Sequence, residues 1–276
     1  MPAGASRSDA DASRVAPLEH EHRAGILVLT LARPDARNSL SKAMIEALQR
    51  AIDQASRDPA TRVVVIAAKG LAFCAGHDLK ELTAHRADAD GGRAFTQLLM
   101  HECAKMMRSI VLCPKPVIAA VEGPAAAAGC QLVASCDLAV ASESAAFATP
   151  GVNIGLFCST PMVALSRNVP RKRAMEMLLL GEMLTPREAA EYGLVNRVVA
   201  PGKALEEALR LAEVIVSKPP ATLAIGKEAF YRQIEMPLAD AYDYAAGVMV
   251  ENMMHAESKE GIGAFIEKRP PNWDKA

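Results

Sequence analysis

The stretch G-P-A-A-A-A-G-C-Q-L-V-A-S-C-D, Gly123 to Asp137, follows an apolar run ending at Val121 and passes through small residues into the apolar spacing of a helix. A strand that turns through small residues into a helix N-terminus leaves backbone N–H groups bare, with the helix dipole behind them. Such a turn favours a negatively charged oxygen. Gly and Ala also let two elements touch, so this segment alone reads either as an oxyanion site or as a packing contact. A second turn of the same kind lies upstream, where a Val-rich strand runs into A-F-C-A-G-H-D-L-K-E, Ala72 to Glu81. Gly76 marks the turn, a helix starts near Asp78, and the His77 N–H is the second candidate donor. Two such turns favour the oxyanion reading.

Working outward, Ile26 to Leu31 reads as a strand, and Arg33-Pro34-Asp35-Ala36-Arg37-Asn38 has turn chemistry. Ser41 is placed to cap a helix whose apolar side chains are Met44/Ile45, Leu48, Ala51/Ile52 and Ala55. Arg62 to Ala68 reads as a strand buried on both faces of a parallel sheet, reached by a crossover. Arg93 to Leu112 has a helical pattern ended by Pro114 and Pro116, and Val117 to Val121 is the next strand. Cys136 to Ala141 supplies a fourth, and Ala146 to Gly151 is extended before a turn. Thereafter the pattern is helical. Thr185-Pro186-Arg187-Glu188 is a capping box, Gly193 stops its helix, and the last helix covers Glu257 to Glu267. Residues 1–17, rich in Ala, Ser, Asp and Arg without periodicity, read as a disordered leader.

Composition excludes several classes. Lys plus Arg is 31 and Asp plus Glu is 32, giving a net charge of −1, so neither nucleic-acid nor membrane-surface binding is expected. No apolar run reaches the roughly 20 residues that span a bilayer. The N-terminus has neither the hydrophobic segment of a secretory signal nor the acid-free composition of a transit peptide. The six cysteines, Cys74, Cys103, Cys113, Cys130, Cys136 and Cys158, lack C-x-x-C or metal-ligand spacing. They read as reduced, mostly buried thiols, and the expectation is a cytoplasmic protein.

Several segments together carry a resemblance: Phe73 to Glu81, Val121 to Asp137, T-P-G-V-N-I-G-L at 149–156, the capping box through Gly193-Leu194-Val195, and the ending from Gly261 to Pro271. In this order they resemble the enoyl-CoA hydratase/isomerase (crotonase) superfamily, and within it the enoyl-CoA hydratase domain-containing protein 3 group. The resemblance implies an α/β fold, a crotonase-like spiral of β-β-α turns over residues 18–200. It also implies a C-terminal helical trimerisation region, 201–276, in the same functional unit. It further implies a homotrimer or a dimer of trimers, and a CoA thioester as substrate or ligand, with no tightly bound cofactor and no metal.

In such proteins two backbone N–H groups polarise the thioester carbonyl and stabilise an enolate-like oxyanion. Carried onto this chain the donors are His77 and Ala128, and one such donor is worth roughly 3 kcal/mol in the transition state. Asp35, Ala36 and Arg37 match positions beside the nucleotide part of CoA, and Ala75, Asp78 and Leu79 positions around its adenine and pantetheine. Phe265 and Lys268 match a pair that reaches CoA on a neighbouring subunit. Asp137 matches a structural carboxylate.

The family's hydratases use two glutamates to hold and deprotonate water, and those positions here are Gln131 and Gly151. Glutamine orients water but exchanges no proton with it, and glycine supplies nothing. Three readings follow. The chain is nominally an enoyl-CoA hydratase (a lyase of fatty acid metabolism) with another proton carrier, a non-catalytic acyl-CoA binder or oligomeric scaffold of lipid metabolism, or an acyl-CoA decarboxylase or thioesterase. Restoring both glutamates is expected to raise hydration.

Overall fold

The computed structural model describes residues 16–273, so most of the expected leader lies outside the described residues. Strands β1 (Leu18–Arg23) and β2 (Ile26–Leu31) form an antiparallel hairpin through Ala24 and Gly25, both at positive φ, 44° and 86°. A tight hairpin turn matched to strand twist requires that pair of left-handed residues. Leu18 is the one buried residue of β1, and the remaining side chains face solvent.

Helix α1 (Lys42–Arg57) begins where Ser41 Oγ accepts the Met44 N–H at 3.3 Å, and it buries the six apolar residues its spacing predicts. It leads to β3 (Val63–Ala68), parallel to β2. Next come α2 (Leu79–Ala84), α3 (Arg93–Leu112), β4 (Val117–Val121), β5 (Ala125–Ala126) and α4 (Ala128–Ser135). Then follow β6 (Leu138–Ser142), β7 (Phe147–Ala148), a 3-10 turn at Pro150–Ile154, α5 (Pro161–Asn168), α6 (Arg171–Leu180), α7 (Pro186–Glu191) and β8 (Arg197–Val199). The chain closes with α8 (Ala204–Val216), α9 (Pro220–Gln233), α10 (Leu238–Met254) and α11 (Ala256–Ile266).

One six-stranded sheet has the order β1-β2-β3-β4-β6-β8, parallel except for β1, and β5 pairs with β7 in a second, two-stranded sheet. Strand side chains alternate between two cores. Val64, Ile66, Val117, Ala119 and Ala141 pack with α1, α3 and α4, while Val63, Val65, Ile118, Ala120 and Val140 meet Ala204, Ala208 and Ala212 of α8. Alanines at i, i+4 and i+8 of α8 let its backbone lie close to the sheet. Glu122 fixes its start, accepting the Ala204 N–H at 3.1 Å and also the Gly202 N–H.

The C-terminal helices are anchored by polar groups. Glu257, 5% exposed, accepts the N–H groups of Ala221 and Thr222 at 3.0 and 2.8 Å and so caps α9. Lys227 of α9 reaches Asp137 at 2.6 Å. α10 buries no residue in the single chain, and Leu238, Tyr242, Met249 and Val250 stand exposed on it. No helix among the described residues is long and apolar enough to cross a membrane.

Candidate active site

The two small-residue turns pack against each other. Cys74 forms a parallel bridge with Ala125, and the Ala126 N–H donates to the Cys74 carbonyl at 2.9 Å. Gly76, at φ 95°, lies so close that a Cβ there would sit 3.0 Å from Ala127 Cβ and 3.4 Å from Ala128 N. Gly129 is tighter still: a Cβ would overlap the Cys74 carbonyl oxygen and lie 2.8 Å from its carbon. Glycine at 76 and 129 is therefore what brings the His77 and Ala128 backbones together.

The donors are left over by the local hydrogen bonding. Ala127 donates to the Ala148 carbonyl at 2.9 Å and Gln131 to the Ala127 carbonyl at 3.0 Å, so Ala128 stands in the first turn of α4 with no intrahelical acceptor. The Leu40 N–H donates to the Gly76 carbonyl at 2.7 Å and the Asp78 N–H to the Leu40 carbonyl at 3.2 Å, which skips His77 between them. Among the described residues neither the His77 nor the Ala128 N–H donates to a main-chain or side-chain acceptor. Ala127, before the helix, has φ 51° and ψ −118°, a conformation that L residues avoid.

A groove of about 1380 Å³ opens beside this turn, lined among others by Asp35, Ala36, Arg37, Ala75, His77, Asp78 and Leu79. Those expected residues thus share one surface. Asn38, fully buried at φ 52°, holds it together: its Nδ2 donates to the Lys69 and Ala72 carbonyls at 2.8 and 2.9 Å, and its Oδ1 accepts the Arg33 N–H at 2.8 Å. The Ala75 N–H donates to the Arg37 carbonyl at 3.1 Å. Asp78 caps α2, taking the Lys80 and Glu81 N–H groups, and also receives Arg33 and Ser39 at 3.2 Å each. Burial opposes its ionisation, but the Glu81 N–H, Arg33 and Ser39 outweigh it and hold the carboxyl below its usual range. Phe265, 85% exposed, and Lys268, just past α11, do not line this groove within the chain.

His77 and Cys130, one beside each turn, are both uncharged at neutral pH. Burial lowers the His77 imidazole to about 4, so it is neutral at pH 7. Burial likewise raises the Cys130 thiol to about 12, helped by Cys158. Gln131 and Thr149 are 5% and 1% exposed, and Gln131 Oε1, Thr149 Oγ1 and His77 Nε2 are buried without a partner. His85 is engaged elsewhere: it stacks on Phe95 at 3.6 Å and pairs with Asp88 at 2.8 Å. Because unfolding returns His77 to about 6.5, the unfolded chain binds its proton first. His77 is therefore expected to cost the fold stability as pH falls from about 6.5 to 4, by roughly 3 kcal/mol in all. Urea unfolding of wild type and His77→Gln at pH 7 and 4.5 should show the variant less acid-sensitive.

Position 151 is closed. A Cβ on Gly151 would sit 2.7 Å from the Leu156 carbonyl oxygen and 2.9 Å from Cys158 Sγ. A glutamate at 151 must therefore displace the turn at 156–158, so restoring both glutamates carries a packing cost that the sequence does not show. Neither this closure, nor the Thr149 hydroxyl, nor the strain at Ala127 has a signature in the sequence; Asn38 was legible as a turn residue but not as the clasp.

Unpartnered main-chain donors on two facing turns beside a groove mark the candidate site, and the comparisons give the fold a family. The chain belongs to the enoyl-CoA hydratase/isomerase family, whose model matches residues 21–276. It is 48% identical over 256 residues to the Xenopus laevis enoyl-CoA hydratase domain-containing protein 3, covering 93% of this chain and 85% of that one. Its fold superposes on a crystal structure of a Mycobacterium smegmatis enoyl-CoA hydratase with a TM-score of 0.88 at 50% identity, covering 94% and 99% of the two chains. The human enoyl-CoA hydratase domain-containing protein 3 structure gives 0.88 at 45% identity, with 93% and 100% covered. The crotonase fold is therefore as expected.

The cytoplasmic expectation is not. The vertebrate relatives, at 43 to 48% identity, are all named mitochondrial, and this points to a mitochondrial setting. The reason is chemical: six free, buried thiols report a reducing surrounding, which the mitochondrial matrix shares with the cytosol.

Proposed function

We propose that the chain binds a CoA thioester along the groove, with the thioester carbonyl oxygen received by the His77 and Ala128 N–H groups and its enolate stabilised there. The observation that carries this reading is the pair of unpartnered main-chain donors on two interlocked turns. Fixed N–H dipoles need little reorganisation when charge develops on an oxygen. The nucleotide end lies against Asp35, Ala36 and Arg37, and the pantetheine passes Ala75, Asp78 and Leu79. Phe265 and Lys268 then act on a neighbouring subunit's ligand, in a trimer or dimer of trimers that covers the exposed face of α10.

The activity is nominally enoyl-CoA hydration, but a base of the usual kind is missing. Gln131 is an amide, position 151 is closed by Leu156 and Cys158, and the nearby imidazole and thiol are neutral. Losing a general base costs on the order of 100- to 10,000-fold. These same observations favour, as the second reading, a protein that holds acyl-CoA without turning it over. Titration with crotonyl-CoA separates the two. We expect heat of binding by calorimetry with hydration, followed by loss of the conjugated-thioester absorbance, at least about 100-fold below a glutamate-bearing hydratase assayed alongside. Rapid hydration would discard the argument from Gln131 and Gly151, and absence of binding would discard the thioester reading.

A further inference from the structure

Five buried side-chain polar atoms lack a partner among the described residues, and two of them, Gln49 Oε1 and Glu102 Oε2, belong to residues that line one cavity of about 180 Å³ between α1 and α3. Ile45, Glu46, Arg50 and Lys105 line it too, and it shares no residue with the groove beside the His77 turn. The Gln49 amide cannot turn round to relieve itself. Its Nε2 donates to Asp53 Oδ1 at 2.9 Å, one turn on, and a flipped amide would set two oxygens against each other. Gln49 Oε1 is therefore fixed as an acceptor, and an ionised glutamate only accepts. Native interiors pair nearly all such atoms, so two acceptors beside one cavity ask for a donor that the chain does not provide. The cations of the same lining stay at its mouth: Arg50, its side chain 70% exposed, pairs with Glu46 at 3.7 Å, and Lys105 is exposed.

We propose that this cavity binds a small zwitterionic amino acid, its ammonium donating to Gln49 Oε1 and Glu102 Oε2 and its carboxylate meeting Arg50 and Lys105. An ammonium carries three donors and no acceptor, which is what two unpaired acceptors lack. The lining charges, Glu46 and Glu102 against Arg50 and Lys105, cancel, so a molecule of no net charge fits better than a bare cation or anion. Ile45, 1% exposed, supplies an apolar wall, and the volume suits a short aliphatic side chain. A phosphate or a dicarboxylate would set its own oxygens against the two acceptors. The site stands apart from the thioester reading and does not depend on it.

The test is saturation-transfer NMR on the purified full chain, with L-alanine as the probe, and with propionate and ethylamine as the same molecule without its ammonium or without its carboxylate. L-alanine should give a saturable signal, and each truncated probe should bind at least about tenfold more weakly. Glu102→Met and Gln49→Met keep the side-chain length and remove one acceptor each. Both should weaken L-alanine binding by at least about tenfold, while the urea midpoint shows each variant still folded. The truncated probes read the same recognition in wild type, independently of any variant's fold. No saturable signal from L-alanine, which leaves the cavity to water, overturns the inference. So does propionate or ethylamine binding as tightly as L-alanine, or an L-alanine signal undiminished in both variants.

Discussion

Asp137→Ala lowers the unfolding free energy by about 3 to 5 kcal/mol, measured as a fall in the urea midpoint. The carboxylate sits at the start of β6 and gathers three donors: the Val117 N–H at 2.7 Å, the Lys227 ammonium at 2.6 Å and the Tyr231 hydroxyl at 2.9 Å. Lys227, its side chain 7% exposed, also donates to the Ile110 and Lys115 carbonyls at 3.2 and 3.0 Å. Burial and the neighbouring carboxylate raise the Tyr231 phenol, so it remains a donor. Deleting the carboxylate strands an ammonium in the interior and unfastens α9 from the sheet. Asp137→Ala with Lys227→Met removes both charges and should recover part of the loss. A single variant within about 1 kcal/mol of wild type would refute the structural assignment of this pair.

Gly129→Ala is expected to damage the fold and the site together. The added methyl meets the Cys74 main chain, which cannot swing away as a side chain would, so α4 must shift relative to the turn before His77. Overpacking of this kind costs about 1 to 3 kcal/mol. The same shift separates the two N–H donors, and affinity for a CoA thioester should fall more than about tenfold, since positions must hold to a fraction of an ångström. Gly226→Ala is the control: no atom lies within 4 Å of a Cβ there, and alanine favours an exposed helix. Undiminished binding by Gly129→Ala would break the link between the close approach and the site.

Much of the fold was legible because side-chain period and end signals agree in this chain. Ser41 and the spacing through Ala55 mark α1, and Thr185 with Glu188 marks α7, where both halves of the box form. Arg93 to Leu112 was bounded correctly because prolines follow it. Three strands were missed: β1 buries only Leu18, β5 is two alanines within the small-residue turn, and β8 has three residues, none buried. The candidate site was legible where it consists of backbone, since small residues between a strand and a helix announce bare N–H groups. It was not legible where its shape depends on what a distant segment places nearby. Nothing in G-V-N-I-G-L-F-C tells that Cys158 folds back onto Gly151, or that the Thr149 hydroxyl finds no partner. Phe265 and Lys268 do not line the groove within the chain.

The dihedral angles of Ala127 have one more implication. At φ 51° and ψ −118° a glycine would be at ease, and an alanine is not. A glycine there could also relax into other shapes whenever the turn is empty, whereas alanine, held by the Ala148 carbonyl on one side and by α4 on the other, has no comfortable alternative nearby. The unfavourable torsion is settled once, during folding. Under the proposed thioester reading, an arriving oxygen meets donors already aimed, and its capture requires no loop rearrangement.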